Sequence, residues 1–88
     1  MITPSVHLNG TSGPELLKQT MASLKAVRLA QQVLQNNAPH SRDYYVQGPG
    51  AWPKARDAHE ARMLDLGRMA VEFERMAIAI SDQIKDGR

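Results

Sequence analysis

The short stretch RDYYVQ carries most of the chemistry that this sequence offers. Arg42 presents a planar fork of donors that matches a phosphate or a carboxylate, and Asp43 stands directly beside it. Tyr44 and Tyr45 each offer a ring face on which a nucleobase can stack, worth about 1 to 3 kcal/mol per base in proteins that bind single strands. Gln47 adds an amide that can hydrogen-bond the edge of a base. These residue types predict a ligand-binding loop for a phosphorylated, ring-containing molecule.

The same residues also fit a purely structural role. Tyr44 and Tyr45 could pack beside Trp52 and plug the end of a helical hairpin, while Arg42 and Asp43 form an ion pair that fixes the loop. Residue types alone leave both interpretations open, and they favour the structural one.

A second polar stretch, HLNGTSGPE, occupies residues 7 to 15 and leads into a helix. The free N–H groups and the dipole of a helix N-terminus attract anions. Asn9, Thr11 and Ser12 add side chains that could anchor a phosphate or a sugar, and Lys18 adds a cation one turn further along. Helix capping alone accounts for the same residues, so this stretch taken by itself is weak support for phosphate binding.

A helix is predicted over residues 13 to 36. Ser12 can cap it, with Glu15 returning a bond and Pro14 in the first turn, and neither Gly nor Pro follows until Pro39. Its apolar residues form two lobes, and one partner helix can cover only the first of them. The first lobe comprises Leu16, Leu17, Leu24, Val27 and Leu34, and the second Ala22, Ala26, Leu29 and Val33.

A second helix is predicted over residues 53 to 84, with Pro53 in its first turn. Eight of its residues are spaced alternately four and three residues apart, which is the spacing of a heptad seam that packs against a partner helix. The seam comprises His59, Met63, Leu66, Ala70, Phe73, Ala77, Ile80 and Ile84. Gly67 costs about 1 kcal/mol relative to Ala inside a helix, which predicts a close backbone approach there. The run MAIAI at 76–80 is apolar on every side and is therefore predicted to be buried all round.

The connection over residues 37 to 52 is longer than the roughly 2 to 8 residues that usually join packed helices. Its aromatic residues and its Pro-Gly turn predict an ordered loop. The fold expected is therefore all-α: a single domain, residues 1–88, forming an antiparallel two-helix hairpin with a long ordered loop.

The surplus apolar surface of both helices predicts assembly into a helical homo-oligomer. The alternative is a monomer in which the N-terminal segment folds back and covers the MAIAI run. In a simple hairpin the N-terminal motif and the interhelix loop lie at opposite ends. They can form one site only if the loop folds back or a second protomer packs head to tail. We expect the second arrangement, with HLNGTS of one chain facing RDYY of another.

Composition narrows the function further. The chain has no cysteine and a net charge of only +2, which argues against a thiolate metal site and against nucleic acid as a partner. No apolar run approaches a membrane span and no export signal is visible, so a cytoplasmic protein is expected. The three histidines lack metal-ligand spacing, and no catalytic constellation stands out. We expect no enzyme activity, no metal and no cofactor.

HLNGTS near the N-terminus, followed by AP-x-x-RDYY-x-QG between two helices, resembles a group of small uncharacterised phage and prophage proteins. The resemblance covers nearly the whole chain. Where that group commonly has Asn-Gly before the Arg-Asp pair, this chain has His40-Ser41, and Val46 replaces a proline. The resemblance implies a phage or prophage origin, hence a bacterial host cell, and supplies no activity.

By analogy, phages encode small oligomeric proteins that sequester nucleotide immune signals. The function expected is sequestration of a phosphorylated nucleotide-type small molecule at sites between protomers. The alternative is a protein-interaction module in which the RDYY loop binds a host or phage protein.

Overall fold

The computed structural model describes residues 1–87 and consists of two α-helices packed against each other. Helix α1 spans Gly13–Asn36 and helix α2 spans Ala51–Lys85. Two short 3-10 turns, Ser41–Asp43 and Tyr45–Gln47, lie in the loop between them. The described residues contain no strand. The all-α prediction is confirmed.

The ends of α1 follow from local hydrogen bonding. The Ser12 Oγ accepts a bond from the N–H of Glu15 at 3.2 Å, which satisfies one of the orphan donors of the first turn. At the other end, the backbone N–H and the side-chain amide of Asn37 both donate to the Val33 carbonyl, at 3.1 and 2.9 Å. Pro39 follows and cannot continue the helix.

Helix α2 begins two residues before the predicted start. Pro53 is the third residue of the first turn rather than the first, and a missing N–H is harmless at either position. Gly87, just past the end of the helix, has φ of +76° and donates to the Ile84 carbonyl at 3.1 Å. Glycine adopts this left-handed conformation without steric cost, which explains why the helix stops there.

The heptad seam of α2 packs against the first lobe of α1. The seam residues, His59, Met63, Leu66, Ala70, Phe73, Ala77, Ile80 and Ile84, are all buried or half-buried, and so are the five residues of the first lobe. Leu24, Val27 and Ala70 form the centre of this core, with Leu66 and Phe73 packed against it. Arg28 and Glu74 form an ion pair between the two helices at its edge.

The N-terminal segment is fastened to the far end of α2. The Gln83 side chain accepts a bond from the N–H of Val6 at 2.8 Å and donates to the Pro4 carbonyl at 3.0 Å. A Cβ added to Gly13 would lie 2.7 Å from the Ile84 side chain, so only glycine fits at this crossing. The segment before α1 therefore does fold back, as the monomer alternative requires.

This fold-back leaves much of the apolar surface uncovered. Ile78, in the middle of the MAIAI run, is 61% exposed, so this run is not buried on every side within the single chain. Ile80, two residues away, is fully buried. Two residues along α2 turn a side chain through about 200°, and the single partner helix covers only one of those directions.

The expected close approach at Gly67 is also wrong within the chain. A Cβ added there would meet nothing nearer than the Gln31 amide at 4.0 Å, which is an ordinary contact. Packing of α1 on α2 therefore does not require a glycine at this position.

The molecule is long and thin, measuring 60 × 20 × 18 Å. Its radius of gyration is 18.8 Å, whereas a compact domain of this length has about 12 Å. It exposes 6497 Å², while a compact monomer of 9.8 kDa exposes about 5,200 Å². No helix within residues 1–87 combines the length and apolarity that a bilayer span requires.

Candidate functional site

The loop that carries RDYY is held by its own backbone. The N–H of Arg42 donates to the His40 Nδ1 at 3.1 Å, and the N–H of Tyr44 donates to the Ser41 carbonyl at 3.0 Å. A second turn follows, closed by the N–H of Gly48 on the Tyr45 carbonyl at 3.2 Å. Gly48 has φ of +109°, a conformation that only glycine adopts freely. These bonds give the loop a defined shape of consecutive tight turns.

The two tyrosines of the loop have different environments. Tyr44 is half-buried and packs on Trp52, with ring centroids 6.2 Å apart and planes tilted by 41°. Tyr45 is 71% exposed and its neighbour Val46 is 76% exposed. The structural interpretation of the tyrosine pair therefore fits Tyr44, which closes the end of the hairpin, and does not fit Tyr45.

Arg42 and Asp43 do not form the loop-fixing ion pair that the structural interpretation requires. Both side chains are exposed, and neither makes a hydrogen bond or an ion pair with any residue in the described part of the chain. The exposed Gln47 side chain is likewise unengaged within residues 1–87. An arginine without an intramolecular partner keeps its whole donor fork available to an external anion.

A shallow hollow of about 580 Å³ lies between the loop and the start of α2. Tyr44 and Gln47 form one side of it, and Lys54 contributes to the other. No side chain caps α2 at Gly50, but its first turn has few N–H groups to offer, because the Ala51 N–H donates to the Gly48 carbonyl and Pro53 has none. The hollow therefore combines an aromatic ring, an amide and a cation, which are chemically suited to a phosphorylated ligand.

Lys54 and Trp52 were not among the predicted site residues. Lys54 lies in the first turn of α2. Because α2 begins two residues before the predicted start, Lys54 lies close to the loop, which the predicted boundary did not indicate. A lysine closely following a Gly-Pro-Gly turn was the available signal.

The N-terminal motif offers less to an anion than its sequence indicated. Ser12 is engaged as the cap of α1, and Pro14 has no N–H to offer. Glu15 places a negative charge in the first turn. Asn9 and Thr11 are exposed, and their side chains have no hydrogen-bond partner in residues 1–87.

Lys18 is exposed one turn into α1 and has no ion-pair partner among the described residues. It can therefore still act as the predicted additional cation near Thr11. The part of this motif that remains free for a ligand is thus Asn9, Thr11 and Lys18.

The two predicted halves of the site do not meet within one chain. Gly13, at the start of α1, lies against Ile84 at the end of α2, whereas the loop follows the other end of α1. Helix α1 has 24 residues, so its two ends are about 36 Å apart. A single ligand cannot touch Arg42 and Thr11 of the same molecule.

Among residues 1–87, no group of three or more His, Asp or Glu side chains is arranged to hold a metal ion. Comparison of the chain with protein-family models, with curated proteins and with solved structures finds no match.

Proposed function

We propose that this protein is a non-catalytic, homo-oligomeric binding protein that sequesters a phosphorylated nucleotide-type small molecule at sites between protomers. The observation that carries the proposal is the state of the loop. Its Arg42, Asp43, Tyr45 and Gln47 side chains are exposed and unengaged on a backbone fixed by its own hydrogen bonds. A preorganised loop with free recognition groups binds without first having to break internal contacts.

The antiparallel hairpin is part of this proposal. Contacts between the helices pair early residues of α1 with late residues of α2, from Gly13 near Ile84 through the Arg28–Glu74 ion pair to Gln31 near Gly67. Such an order of pairs is what two helices running in opposite directions produce.

Oligomer formation is supported by the accessible surface. The chain exposes about 1,300 Å² more than a compact monomer of its mass, and a standard interface covers about 800 Å² on each partner. The surplus includes large apolar side chains on both helices. These are Met21, Leu29, Val33, Leu64, Met69, Val71 and Ile78.

The composite site follows from the distance between the two motifs. Because the two motifs extend from opposite ends of α1, about 36 Å apart, a ligand that uses both must lie between two chains. We propose that Arg42 contacts phosphate and that Tyr45 and the exposed part of Tyr44 stack on base or ribose. Asn9, Thr11 and Lys18 of the neighbouring chain complete the site, and Ser12 takes part through its backbone.

The ligand class proposed is a nucleotide immune signal, such as a cyclic oligonucleotide or a cyclic ADP-ribose derivative. This choice rests on the resemblance of HLNGTS and AP-x-x-RDYY-x-QG to phage and prophage proteins, together with the phosphate-binding and stacking groups of the loop. The place of action proposed is the cytoplasm of a bacterial host.

Isothermal titration calorimetry against a panel of cyclic dinucleotides, cyclic trinucleotides and NAD-derived cyclic signals tests the proposal. We expect one panel member to bind, and Arg42→Ala to weaken it about 10- to 150-fold, since a charge-assisted hydrogen bond contributes about 1.5 to 3 kcal/mol. Arg62→Ala is the matched control, because Arg62 is an exposed arginine of α2 without an ion-pair partner in residues 1–87. Absence of binding across the panel, or equal losses for both variants, contradicts the proposal.

A second candidate function is favoured by the exposure of Tyr45 and Val46 together on the loop. Two adjacent large apolar side chains in water are typical of a surface that anchors a protein partner. In that case the loop binds a host or phage protein and the helices only position it. A pull-down from infected cells distinguishes the two functions, since this one requires a stoichiometric protein partner that Tyr45→Ala removes.

A further inference from the structure

We propose that the outer face of α1 packs antiparallel on the same face of a second copy, about a two-fold axis. The outer face comprises Ala22, Ala26, Leu29 and Val33. This inference rests on the proposed function and deepens it, because it names the surface through which two chains build the composite site.

The outer face cannot be covered within the chain. At 100° per residue, Val33 lies about 180° round the helix from Leu24, which is buried against α2. Leu29 is 60% exposed and Val33 is 48% exposed. Since α2 is the only long element in residues 1–87 besides α1, no described element remains to pack on this face.

The outer faces of two copies of α1 are complementary in shape when the two helices run in opposite directions. Its four residues step by four, three and four, which is the spacing of a coiled-coil seam. In an antiparallel pair centred between Val27 and Arg28, Ala22 of one copy lies opposite Val33 of the other, and Ala26 lies opposite Leu29. Every layer then pairs a small with a large side chain, so the two helix axes remain evenly spaced along the contact.

The flanks of this pairing carry no opposed like charges. In this register Lys25 of one copy is level with Ala30 of the other and lies diagonally across from Gln32, while Gln19 is level with Asn36. On the other flank, Ser23 is level with Gln32 and lies diagonally across from Ala30. Uncharged polar partners can accept a lysine hydrogen bond, and small residues let the backbones approach closely.

The other exposed apolar stripe, on α2, suits the same arrangement less well. Leu64, Val71 and Ile78 are seven residues apart on α2 and are all exposed. Reversed self-pairing of that stripe about Val71 places Arg68 of one copy beside Arg75 of the other on the same flank, and the ion pair between Arg68 and Asp65 offsets part of that repulsion. The α1 pair brings no two like charges together on its flanks, which makes it the less costly two-fold contact.

The register of the α1 pair determines which ends meet. With Gln19 of one copy level with Asn36 of the other, the first turn of α1 and the residues before it extend beside the loop that follows Asn36 of the partner copy. Thr11 of one chain is thereby brought level with the loop that carries Arg42 of the other. The two-fold axis produces two such composite sites per dimer.

Cysteine cross-linking tests this contact cleanly, because the chain contains no cysteine. Ala26→Cys and Leu29→Cys single variants are mixed in equal amounts and oxidised, and disulfide-linked peptides are identified by mass spectrometry. The matched control is a mixture of Ala61→Cys and Leu64→Cys, two exposed α2 residues at the same spacing. Circular dichroism verifies that all four variants remain helical. We expect a disulfide between residues 26 and 29 of different chains to form at least tenfold faster than the control disulfide.

The outcomes separate this inference from the proposed function. Cross-linking no faster than in the control, in a protein that sediments as an oligomer, overturns the α1 contact and leaves the proposed oligomer standing. A cross-linked dimer that binds no member of the cyclic nucleotide panel confirms the contact and overturns the proposed ligand. A protein that sediments as a monomer and does not cross-link overturns both.

Discussion

Replacement of Ile80 by alanine is expected to remove a large part of the stability of this protein. Ile80 is the only large side chain that is completely buried in the described chain. An Ile→Ala change in a core costs about 2 to 5 kcal/mol, because the transfer free energy of the lost carbons adds to that of the cavity left behind. A domain of this length has a total stability of about 4 to 13 kcal/mol.

We therefore expect Ile80→Ala to lower the free energy of unfolding by about 3 to 4 kcal/mol. For a domain of this size, that loss lowers the melting temperature by about 12 to 30 °C. Urea and thermal unfolding followed by far-ultraviolet circular dichroism measure both quantities.

The control for this prediction is Ile78→Ala, which deletes the same carbons two residues away. Ile78 is 61% exposed, so its replacement is expected to cost less than about 1 kcal/mol. Equal losses for the two variants, measured at a concentration at which the chain is monomeric, would refute the packing described here, since they would show that both faces of this part of α2 are buried within the chain.

Three further predictions concern individual positions. Gly67→Ala is expected to stabilise the protein by up to about 1 kcal/mol, because alanine is the better helix former and the added Cβ meets only the Gln31 amide, at 4.0 Å. Gly13→Ala is expected to destabilise it by about 1 to 3 kcal/mol through overpacking. Chemical denaturation measures both, and the opposite signs would contradict the structure. Gln83→Ala removes both hydrogen bonds that hold the N-terminal segment. At about 1 kcal/mol per bond, amide exchange in the segment before α1 is expected to become roughly 30-fold faster, and unchanged exchange would show that the segment is held by other contacts. Tyr44→Ala is expected to cost about 1 to 3 kcal/mol of stability through loss of its contact at the hairpin end, whereas Tyr45→Ala should change stability by less than about 0.5 kcal/mol and act on ligand binding alone; the reverse order in thermal melts would contradict their assignment.

The helices were the predictable part of this fold, because their signals are local. The cap at Ser12 and the long run without glycine after Gly13 predict the position of α1. The alternating spacing of four and three residues along α2 predicts which of its residues face α1. The sequence did not indicate how much of the surface of one helix a single partner helix can cover. MAIAI is apolar on every side, yet a single partner covers only one side, so Ile78 stays exposed beside a buried Ile80.

Non-local contacts account for the other misses. The role of Gln83 cannot be predicted from the sequence, because an amide side chain on a helix is also common where the helix faces solvent. Its hydrogen bonds to Val6 and Pro4 depend on where the distant N-terminal segment lies. Gly67 is the opposite case: a glycine in a helix interior predicts a closely packed neighbour, and within the chain the nearest atom to an added Cβ is the Gln31 amide at 4.0 Å.

For the candidate site, the residue types indicated which chemistry each side chain can provide. They did not indicate which side chains form contacts within the chain and which remain exposed. The residues RDYY are compatible both with a structural loop fixed by an ion pair and with an exposed recognition loop. In the structure they do not all have the same environment: Tyr44 packs on Trp52, whereas Arg42 and Tyr45 are exposed. Such a division depends on backbone turns whose geometry the sequence did not specify.

Native mass spectrometry of protein purified from cells under mild conditions tests the central claim most directly. A homo-oligomer that captures a small molecule is expected to appear at an integral multiple, two or more, of the 9.8 kDa chain mass. It should carry additional mass that fits a phosphorylated nucleotide and that disappears in Arg42→Ala but not in Arg62→Ala. A single species at the mass of one chain, with nothing bound, would contradict the account.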